Sequence, residues 1–452
     1  MPGLKRIFLS ITQGNRRSVK AKKNILGSFG IKGIAIIIGF IKVPILLSYL
    51  DAEKYGIWLT IASIVDWVHY FDLGIGHGLR NKFAEALAKE EHTLAHKLVS
   101  TAYYYITIIF SLLFFLLTPI IFILNWQSIL NTTTISQNEL TYSVLLVLAM
   151  FVLRFILYQI SVILKGDQRP ALSDIFLPIS NIITLIIVIL LGFFSRNSLL
   201  WACLAISVPP SAILLLANLY FFNHDYKCYR PMFNMVDKSL FKDTFTLGLK
   251  FFIIQLSGLV LYASSNIILT QVVSPSEVTL YNISRQYYTI PFMIFGIILT
   301  PFWSAITDAY VKGDISWIRR SIRKLLMIGV IFCLGELFML IVSPWAFHLW
   351  LGDKVDIPFL LSLTNTFLFI FNILGSPFSH FLNGVGKLKV SVLVGFIQLI
   401  LFIPIATMLC RYLGASGLVL SLILVNSLQA ITLSPLQYFM IISGRAKGIW
   451  NK

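Results

Sequence analysis

The sequence predicts an all-α integral membrane protein whose twelve transmembrane helices form two sets of six. The chain is 57% hydrophobic and only 12% charged, whereas soluble domains carry about 25% charged residues. Its mean hydropathy is +0.84, because apolar runs of about 20 residues recur along it, each able to cross a hydrocarbon core about 30 Å thick. A polar segment at 223–244 divides these runs into two equal sets.

The spans follow from the apolar runs in order. The runs lie at 25–50, 56–79, 98–124, 140–164, 171–194 and 198–222, and then at 245–272, 278–306, 321–343, 357–383, 389–410 and 413–440. Seven basic residues precede the first run without a small-residue cleavage site after it, so we expect an uncleaved first helix.

The basic residues predict the orientation of these spans. The segments that share a side with the N-terminus, together with the adjacent helix ends, hold 27 Lys or Arg, and the opposite side holds 4. The positive-inside rule then places both termini in the cytoplasm. The net charge of +17 is therefore mostly an orientation signal, and we expect no nucleic-acid partner.

The predicted domain organisation is two lobes joined by a short linker. The segments are a basic N-terminal segment at 1–24, an N-lobe at 25–222, a cytoplasmic linker at 223–244, a C-lobe at 245–440 and a cytoplasmic tail at 441–452. Leu26-Gly27 opens span one and Leu247-Gly248 opens span seven, a weak echo that favours parallel repeats, an architecture found in transporters. No segment is long enough to hold a soluble catalytic domain.

Ionisable residues inside spans are the first site candidates, because each costs about 2.5–3.5 kcal/mol to insert. They are Lys32, Lys42, Asp66, Asp72, Arg154, Lys250, Arg285 and Glu336. Depths estimated from the helical rise would allow three pairs, Lys42 with Asp66, Lys32 with Asp72, and Arg285 with Glu336. The pairs could serve packing alone or exchange partners with an ion or substrate.

Arg154 differs because spans three and five offer no acid at its depth. A water-filled cavity with an anionic ligand would explain it, and the planar guanidinium suits phosphate oxygens. Bonds to backbone carbonyls or to an acid on a distant helix are the alternative. Lys250 is a weaker candidate since it could extend to the cytoplasmic face, and His69, one turn from Asp66, could carry a proton or only pack.

The stretch Gly74-Ile75-Gly76-His77-Gly78 resembles a phosphate-binding loop only superficially. Its spacing is not that of the dinucleotide fingerprint, and it ends a membrane span instead of joining a strand to a helix. We interpret Gly74, Gly76 and Gly78 as a hinge at the cytoplasmic end of span two. The four scattered cysteines indicate no metal site, and we expect no cofactor.

One family resemblance rests on spans one and two. The pieces that carry it are Tyr55-Gly56-Ile57-Trp58, Asp72-Leu73-Gly74-Ile75-Gly76, Gly78-Leu79 and Asn81. With the span count and loop lengths, they resemble bacterial polysaccharide-biosynthesis membrane proteins of the O-antigen (Wzx-type) flippase kind. That family belongs to the superfamily that also holds MATE-type multidrug extruders and the lipid II flippase.

The resemblance implies a MATE-like fold, two six-helix lobes around a central cavity that opens alternately to cytoplasm and periplasm. It implies a bacterial inner-membrane flippase that moves undecaprenyl-pyrophosphate-linked oligosaccharide units for O-antigen, capsule or exopolysaccharide assembly. Arg154, Lys32, Lys42, Arg285 and Lys250 would be substrate-binding candidates. Asp66, Asp72, Glu336 and His69 would couple H⁺ or Na⁺. We expect a monomer in contact with membrane lipid that could associate with polysaccharide polymerase machinery.

Three other functions are less consistent with the sequence. A MATE-type cation-coupled multidrug antiporter is the alternative, but such proteins favour acidic cavities, and the spans here hold five basic residues and three acids. A membrane enzyme such as a glycan polymerase would carry a large periplasmic loop with catalytic residues, which this chain lacks. The lipid II flippase branch usually has fourteen spans. We therefore expect a transporter and not an enzyme.

Overall fold

The computed structural model describes residues 16–66, 75–194, 197–240 and 264–451. Within these ranges, the side chains that are not described are those of 16–29, 32, 66, 75, 77, 81, 300, 301, 303, 304, 308 and 311. These residues form helices and short turns, with no β-strand in the described ranges. The chain divides into two compact units. The first is Met1–Asp51, Ile64–Ile129 and Thr133–Leu256, and the second is Ala52–Ser63, Leu130–Thr132 and Ser257–Lys452.

Seven longer helices build most of the first unit. They are α1 (Arg16–Asp66), α2 (Ile75–Ala88), α3 (His92–Ile123), α4 (Gln137–Leu157), α5 (Gln159–Gly166), α6 (Phe176–Phe194) and α7 (Leu199–Asn223). Glu139 fixes the start of α7, because its Oε1 accepts from the Leu199 amide at 2.9 Å and from the Ser198 hydroxyl at 3.1 Å. These bonds satisfy donors that a helix N-terminus leaves without a partner.

The second unit also consists mainly of helices. Its helices are α8 (described at 264–272), α9 (Pro275–Val311), α10 (Ile315–Leu351), α11 (Phe359–Val385), α12 (Lys389–Ser427) and α13 (Ser434–Ile442). A π-helical segment, Leu428–Leu433, joins α12 to α13. Asp314 begins α10 by accepting from the Trp317 amide at 2.9 Å. That cap leaves only 312–314 as the loop after α9, so most of the residues between the predicted spans 278–306 and 321–343 are helical.

Eight helical segments in the described part of the chain are long and apolar enough to cross a membrane. Two of them contain a break at a turn that the sequence predicts. Asp51 has φ 62° and ψ 174°, between spans one and two, and Gly414 has φ 56° and ψ −137°, at the start of span twelve. The described residues do not establish the full count of twelve.

Large apolar side chains on these helices remain exposed, as expected for surfaces that face lipid. On α3, Phe115 is 71% exposed and Ile123 is 83% exposed, and Phe194 on α6 is 86% exposed. Surfaces of this kind are costly in water but not in hydrocarbon. The exposure supports an all-helical protein that passes the membrane several times.

Residues 52–63 of α1 pack with the second unit. Thr60 and Thr270 share a hydroxyl hydrogen bond of 2.7 Å, and the Thr279 hydroxyl donates to the carbonyl of Ala52 at 2.7 Å. A Cβ at Gly56 would collide with the carbonyl oxygen of Pro275. Gly56 therefore permits the backbone of α1 to approach the start of α9.

Candidate functional site

Lys42 lies on α1 and points to a neighbouring helix of the first unit. Its Nζ donates to the Asn181 side-chain oxygen on α6 at 3.3 Å. Pro44 lies two residues further along α1 and has no amide hydrogen to donate within the helix. The Lys42 side chain is only partly accessible, so its ammonium is held inside the helix bundle.

Arg154 lies on α4, about 25 Å along the candidate span that begins at Gln137. The helix is interrupted at Tyr158, where α4 ends and α5 begins. The carbonyl of Leu157 accepts instead from the Asn218 amide on α7 at 2.8 Å. Arg154 therefore lies one turn before an irregularity in the middle of a membrane span, and its side chain is exposed.

The like charges of Lys42 and Arg154 interact unfavourably. The positive charge of Arg154 repels that of Lys42, and neither side chain forms an ion pair with an acid in the described part of the chain. Two like charges deep in a span are unfavourable unless a counter-charge is supplied. The group Lys42, Arg154 and Asn181, here the cationic site, is therefore suited to bind an anion.

The predicted pairs of Lys42 with Asp66 and Lys32 with Asp72 cannot be followed in full. The side chains of Lys32 and Asp66 lie outside the described residues, as do Asp72, His69 and Lys250 entirely. The partner that the structure does give Lys42 is Asn181. The roles assigned to Lys32, Lys250, Asp66, Asp72 and His69 remain predictions.

The predicted pair of Arg285 with Glu336 is wrong in this structure. Glu336, on α10, is fully buried, and neither of its carboxylate oxygens has a hydrogen-bond partner among the described residues. Arg285, on α9, donates instead to the hydroxyl of Tyr281 at 3.4 Å, with its guanidinium carbon 5.9 Å from the centre of that ring. The Arg285 guanidinium therefore contacts Tyr281, one turn back on its own helix, and not Glu336 on α10.

Glu336 is thus a buried carboxyl in an apolar part of the second unit. Burial of an ionised carboxylate without partners is costly, and the group is stable there when it binds a proton or a cation. Tyr287 and Tyr288 lie close enough to interact electrostatically with it. The hydroxyl of Tyr287 donates to the backbone carbonyl of Met339 at 3.3 Å.

The glycines of the predicted hinge are partly described. Gly76 and Gly78 lie in the first turn of α2, which begins at Ile75, and Gly74 is outside the described residues. A hinge at these glycines remains a prediction.

Two residues with structural roles were not singled out from the sequence, Asn181 in the cationic site and Gly56 in the second unit. Asn181 was one of several amides in the spans and had no distinguishing spacing. Gly56 belonged to the family motif, but only the structure shows that it lies against Pro275. Depth along a predicted span does not reveal which face a side chain occupies, so no sequence signal singled out Asn181 as a neighbour of Lys42.

Comparison with known proteins decides the family. The model of a family described as "Polysaccharide biosynthesis protein" matches residues 21–307, more than half of the chain. The chain belongs to this family. Two relatives carry the name "Putative O-antigen transporter". The protein from Shigella flexneri is 23% identical over 88% of this chain and 93% of its own length. The protein from Salmonella typhimurium is 20% identical over 88% and 91%.

Solved structures of MATE transporters share the fold. An inward-facing multidrug resistance MATE family transporter of the MOP superfamily is similar with a TM-score of 0.74 at 14% identity, covering 93% of this chain and 98% of that one. An outward-facing structure from the same family gives 0.61 at 14% identity, covering 97% and 98%. This member of the polysaccharide biosynthesis family is therefore a multi-pass membrane protein of MATE-like fold.

Proposed function

We propose that the protein is a flippase that moves undecaprenyl-pyrophosphate-linked oligosaccharide units from the cytoplasmic to the periplasmic leaflet of a bacterial inner membrane. The observation that carries this proposal is the cationic site, in which Lys42 donates to Asn181 and neither Lys42 nor Arg154 pairs with an acid in the described part of the chain. Membership of the polysaccharide biosynthesis family and two relatives named as O-antigen transporters support the substrate class.

The pyrophosphate of such a substrate suits this site. The Arg154 guanidinium can donate two parallel hydrogen bonds to one phosphate, whereas the Lys42 ammonium acts as a point charge. An anion also removes the repulsion between the two cations, so its binding is favoured beyond the contacts themselves. The Asn181 amide, released from Lys42, could bond a phosphate oxygen or a sugar hydroxyl. The isoprenoid chain would remain in the bilayer.

Transport would proceed by alternating access, with H⁺ or Na⁺ bound at Glu336. A carboxyl that is buried without a hydrogen-bond partner changes its energy strongly when it gains or loses a proton, and its protonation can therefore bias one conformation of the second unit. Asp66, Asp72 and His69 are further candidates for this coupling. Lys32, Lys250 and Arg285 are further candidates for substrate binding.

The remaining parts of the proposal concern placement and partners. Both termini would lie in the cytoplasm, following the distribution of basic residues. The protein would act as a monomer that could associate with polysaccharide polymerase machinery. The glycan could belong to O-antigen, capsule or exopolysaccharide.

A cation-coupled multidrug antiporter is the second candidate, and Glu336 is the observation that favours it. A buried acid without a described partner could bind a cationic drug as well as a proton. Lys42 and Arg154 oppose this function, because they would repel a cationic substrate from the first unit.

Deletion of the gene in its native host separates the two functions. A flippase deletion should accumulate the undecaprenyl-linked glycan on the cytoplasmic face and lose the surface glycan, and a plasmid copy should restore it. Normal glycan display together with increased drug sensitivity would reject the flippase and favour the antiporter.

A further inference from the structure

An apolar surface lies on the connector after α7, far along the chain from the cationic site. The connector, residues 224–240, contains two single 3-10 turns, Lys227–Tyr229 and Phe233–Met235. It is fixed to the first unit by polar contacts. Tyr229 shares a 2.6 Å hydrogen bond with Nδ1 of His92, and the Asp237 amide donates to the Thr101 hydroxyl at 2.9 Å.

Between these attachments the connector presents apolar side chains outward. Phe233 is 87% exposed, and Met232 is also exposed. Such exposure is unusual in a polar connector that is otherwise held by hydrogen bonds. Phe233 packs edge-on against Tyr104 of α3, with ring centres 6.1 Å apart, so its position is defined.

The same side chains enclose a groove of about 280 Å³ against the beginning of α3. Its wall on α3 includes Tyr103, Tyr104, Thr107 and Ile108, and its other wall includes Met232 and Phe233. Ile108 is exposed and begins the apolar face of α3 that continues to Leu112 and Phe115. The groove is therefore continuous with a surface that faces lipid.

The charges around the groove are unbalanced. Asp225 pairs with Arg169, and Asp237 with Lys97. Hydrogen bonds from Ser239 hold the pKa of Asp237 below its usual range, so this acid is ionised and partnered.

The basic residues of the connector lack such partners. Lys227, Arg230 and Lys238 are exposed and pair with no acid in the described ranges. Arg230 and Lys238 flank the segment 231–236, in which every residue except Asn234 is apolar. Apolar side chains between unpaired cations match the boundary between the acyl chains and headgroups of an anionic membrane leaflet.

We propose that the connector is a lipid-binding element, in which the groove holds an acyl chain of an anionic phospholipid while Arg230 and Lys238 contact its phosphate. This placement would put Tyr103 and Tyr104 at the depth of the headgroups, where aromatic residues are enriched in membrane proteins. The proposal does not depend on the identity of the transported substrate.

Native mass spectrometry of the full-length protein tests the groove. The protein is reconstituted in vesicles of phosphatidylcholine and phosphatidylglycerol, extracted in mild detergent, and its retained lipids are counted. Each wild-type protein should retain one more phosphatidylglycerol molecule than the Thr107→Phe variant, in which the phenyl ring fills the groove. Thr118→Phe, on the same helix but outside the groove, should match wild type. Equal retention by wild type and Thr107→Phe would overturn the proposal.

The same measurement tests the charges. Arg230→Gln with Lys238→Gln should reduce the preference for phosphatidylglycerol over phosphatidylcholine at least threefold, whereas Arg445→Gln in the tail should not. An unchanged preference in the double variant would overturn the headgroup assignment. With undecaprenyl phosphate added to the vesicles, displacement of phosphatidylglycerol by it would assign the groove to the isoprenoid chain and overturn the choice of phospholipid.

A spin label provides a measurement that does not depend on lipid retention. With Cys228→Ser removing the exposed native cysteine, a nitroxide on Phe233→Cys should be relaxed more by oxygen, which concentrates in the bilayer, than by a water-soluble nickel chelate. A label at Cys228 in the otherwise native protein should show the reverse order. Greater relaxation of the Phe233 label by nickel would place the segment in water and reject the proposal.

Discussion

The ammonium of Lys42 on α1 is repelled by the guanidinium of Arg154 on α4 and is held by the amide oxygen of Asn181 on α6 at 3.3 Å. The amide oxygen offsets only part of the charge, because a neutral acceptor is weaker than a carboxylate. The site is therefore stabilised most by a ligand that carries negative charge, which makes Asn181 a sensitive position for testing it.

Asn181→Asp should inhibit transport more than Asn181→Ala does. The new carboxylate would pair with Lys42 and neutralise part of the charge that the substrate needs, whereas alanine removes one hydrogen bond worth about 1 kcal/mol. We expect at least a tenfold loss for aspartate and less than threefold for alanine, measured as surface glycan per copy of protein. If the aspartate variant is the more active of the two, the site does not bind an anion.

Exchange of charges tests the pair of Lys42 with Asp66, since the Asp66 side chain is not described. If the pair only fixes the packing, Lys42→Asp combined with Asp66→Lys should restore the function that either single change removes. Our account assigns Lys42 to the substrate, and the double variant should remain as inactive as Lys42→Asp alone. Recovery above half of wild-type glycan export would assign Lys42 to packing.

Glu336→Gln should remove the dependence of transport on the proton gradient while leaving the fold intact. The carboxyl has no described hydrogen-bond partner to lose, so the thermal unfolding temperature should stay the same or rise. Transport in vesicles should no longer respond to an imposed pH difference.

Glu139→Gln provides the matched control for Glu336. The carboxylate of Glu139 accepts from the start of α7, and its loss should cost about 1–3 kcal/mol of stability without changing the response to pH. A proton response that survives in Glu336→Gln would exclude Glu336 as the coupling group.

Gly414→Ala should destabilise the second unit by about 1–3 kcal/mol, because φ 56° with ψ −137° is accessible almost only to glycine. A Cβ there would also lie 2.7 Å from Oε2 of Glu277, which accepts from the Ala415 amide. Gly335→Ala, on α10, is the control, since a Cβ there would meet nothing within 4 Å. Thermal unfolding in detergent should separate the two variants, and equal midpoints would contradict the strain at Gly414.

Gly56→Ala should lower the amount of folded protein more than Gly335→Ala does, for a different reason. Its Cβ would meet the backbone of Pro275, which cannot rotate away as a side chain can. We expect lower expression of a folded protein, measured by size-exclusion chromatography, and weaker function in the fraction that folds. A wild-type profile for Gly56→Ala would show that residues 52–63 do not need to lie this close to α9.

The sequence predicted the fold class well because its signals are local. Apolar length marks each span, and the turns at Asp51 and Gly414 fall where the predicted runs end. Which side chains pair inside the bilayer was harder to predict, because depth along a helix does not determine which face a side chain occupies. Arg285 and Glu336 have similar estimated depths, yet Arg285 contacts Tyr281 on its own helix. Asn181 could not be chosen among the amides for the same reason.

Transport by purified protein tests the central claim most directly. Vesicles that contain undecaprenyl-pyrophosphate-linked oligosaccharide and the protein are assayed for movement of the glycan between leaflets, read by a glycosidase added outside. Wild type should move the glycan. Arg154→Ala should lower the rate at least tenfold, Arg154→Lys should recover part of it, and Arg445→Ala should match wild type. Wild-type rates in Arg154→Ala, at equal amounts of folded protein, would contradict the assignment of the cationic site to the pyrophosphate.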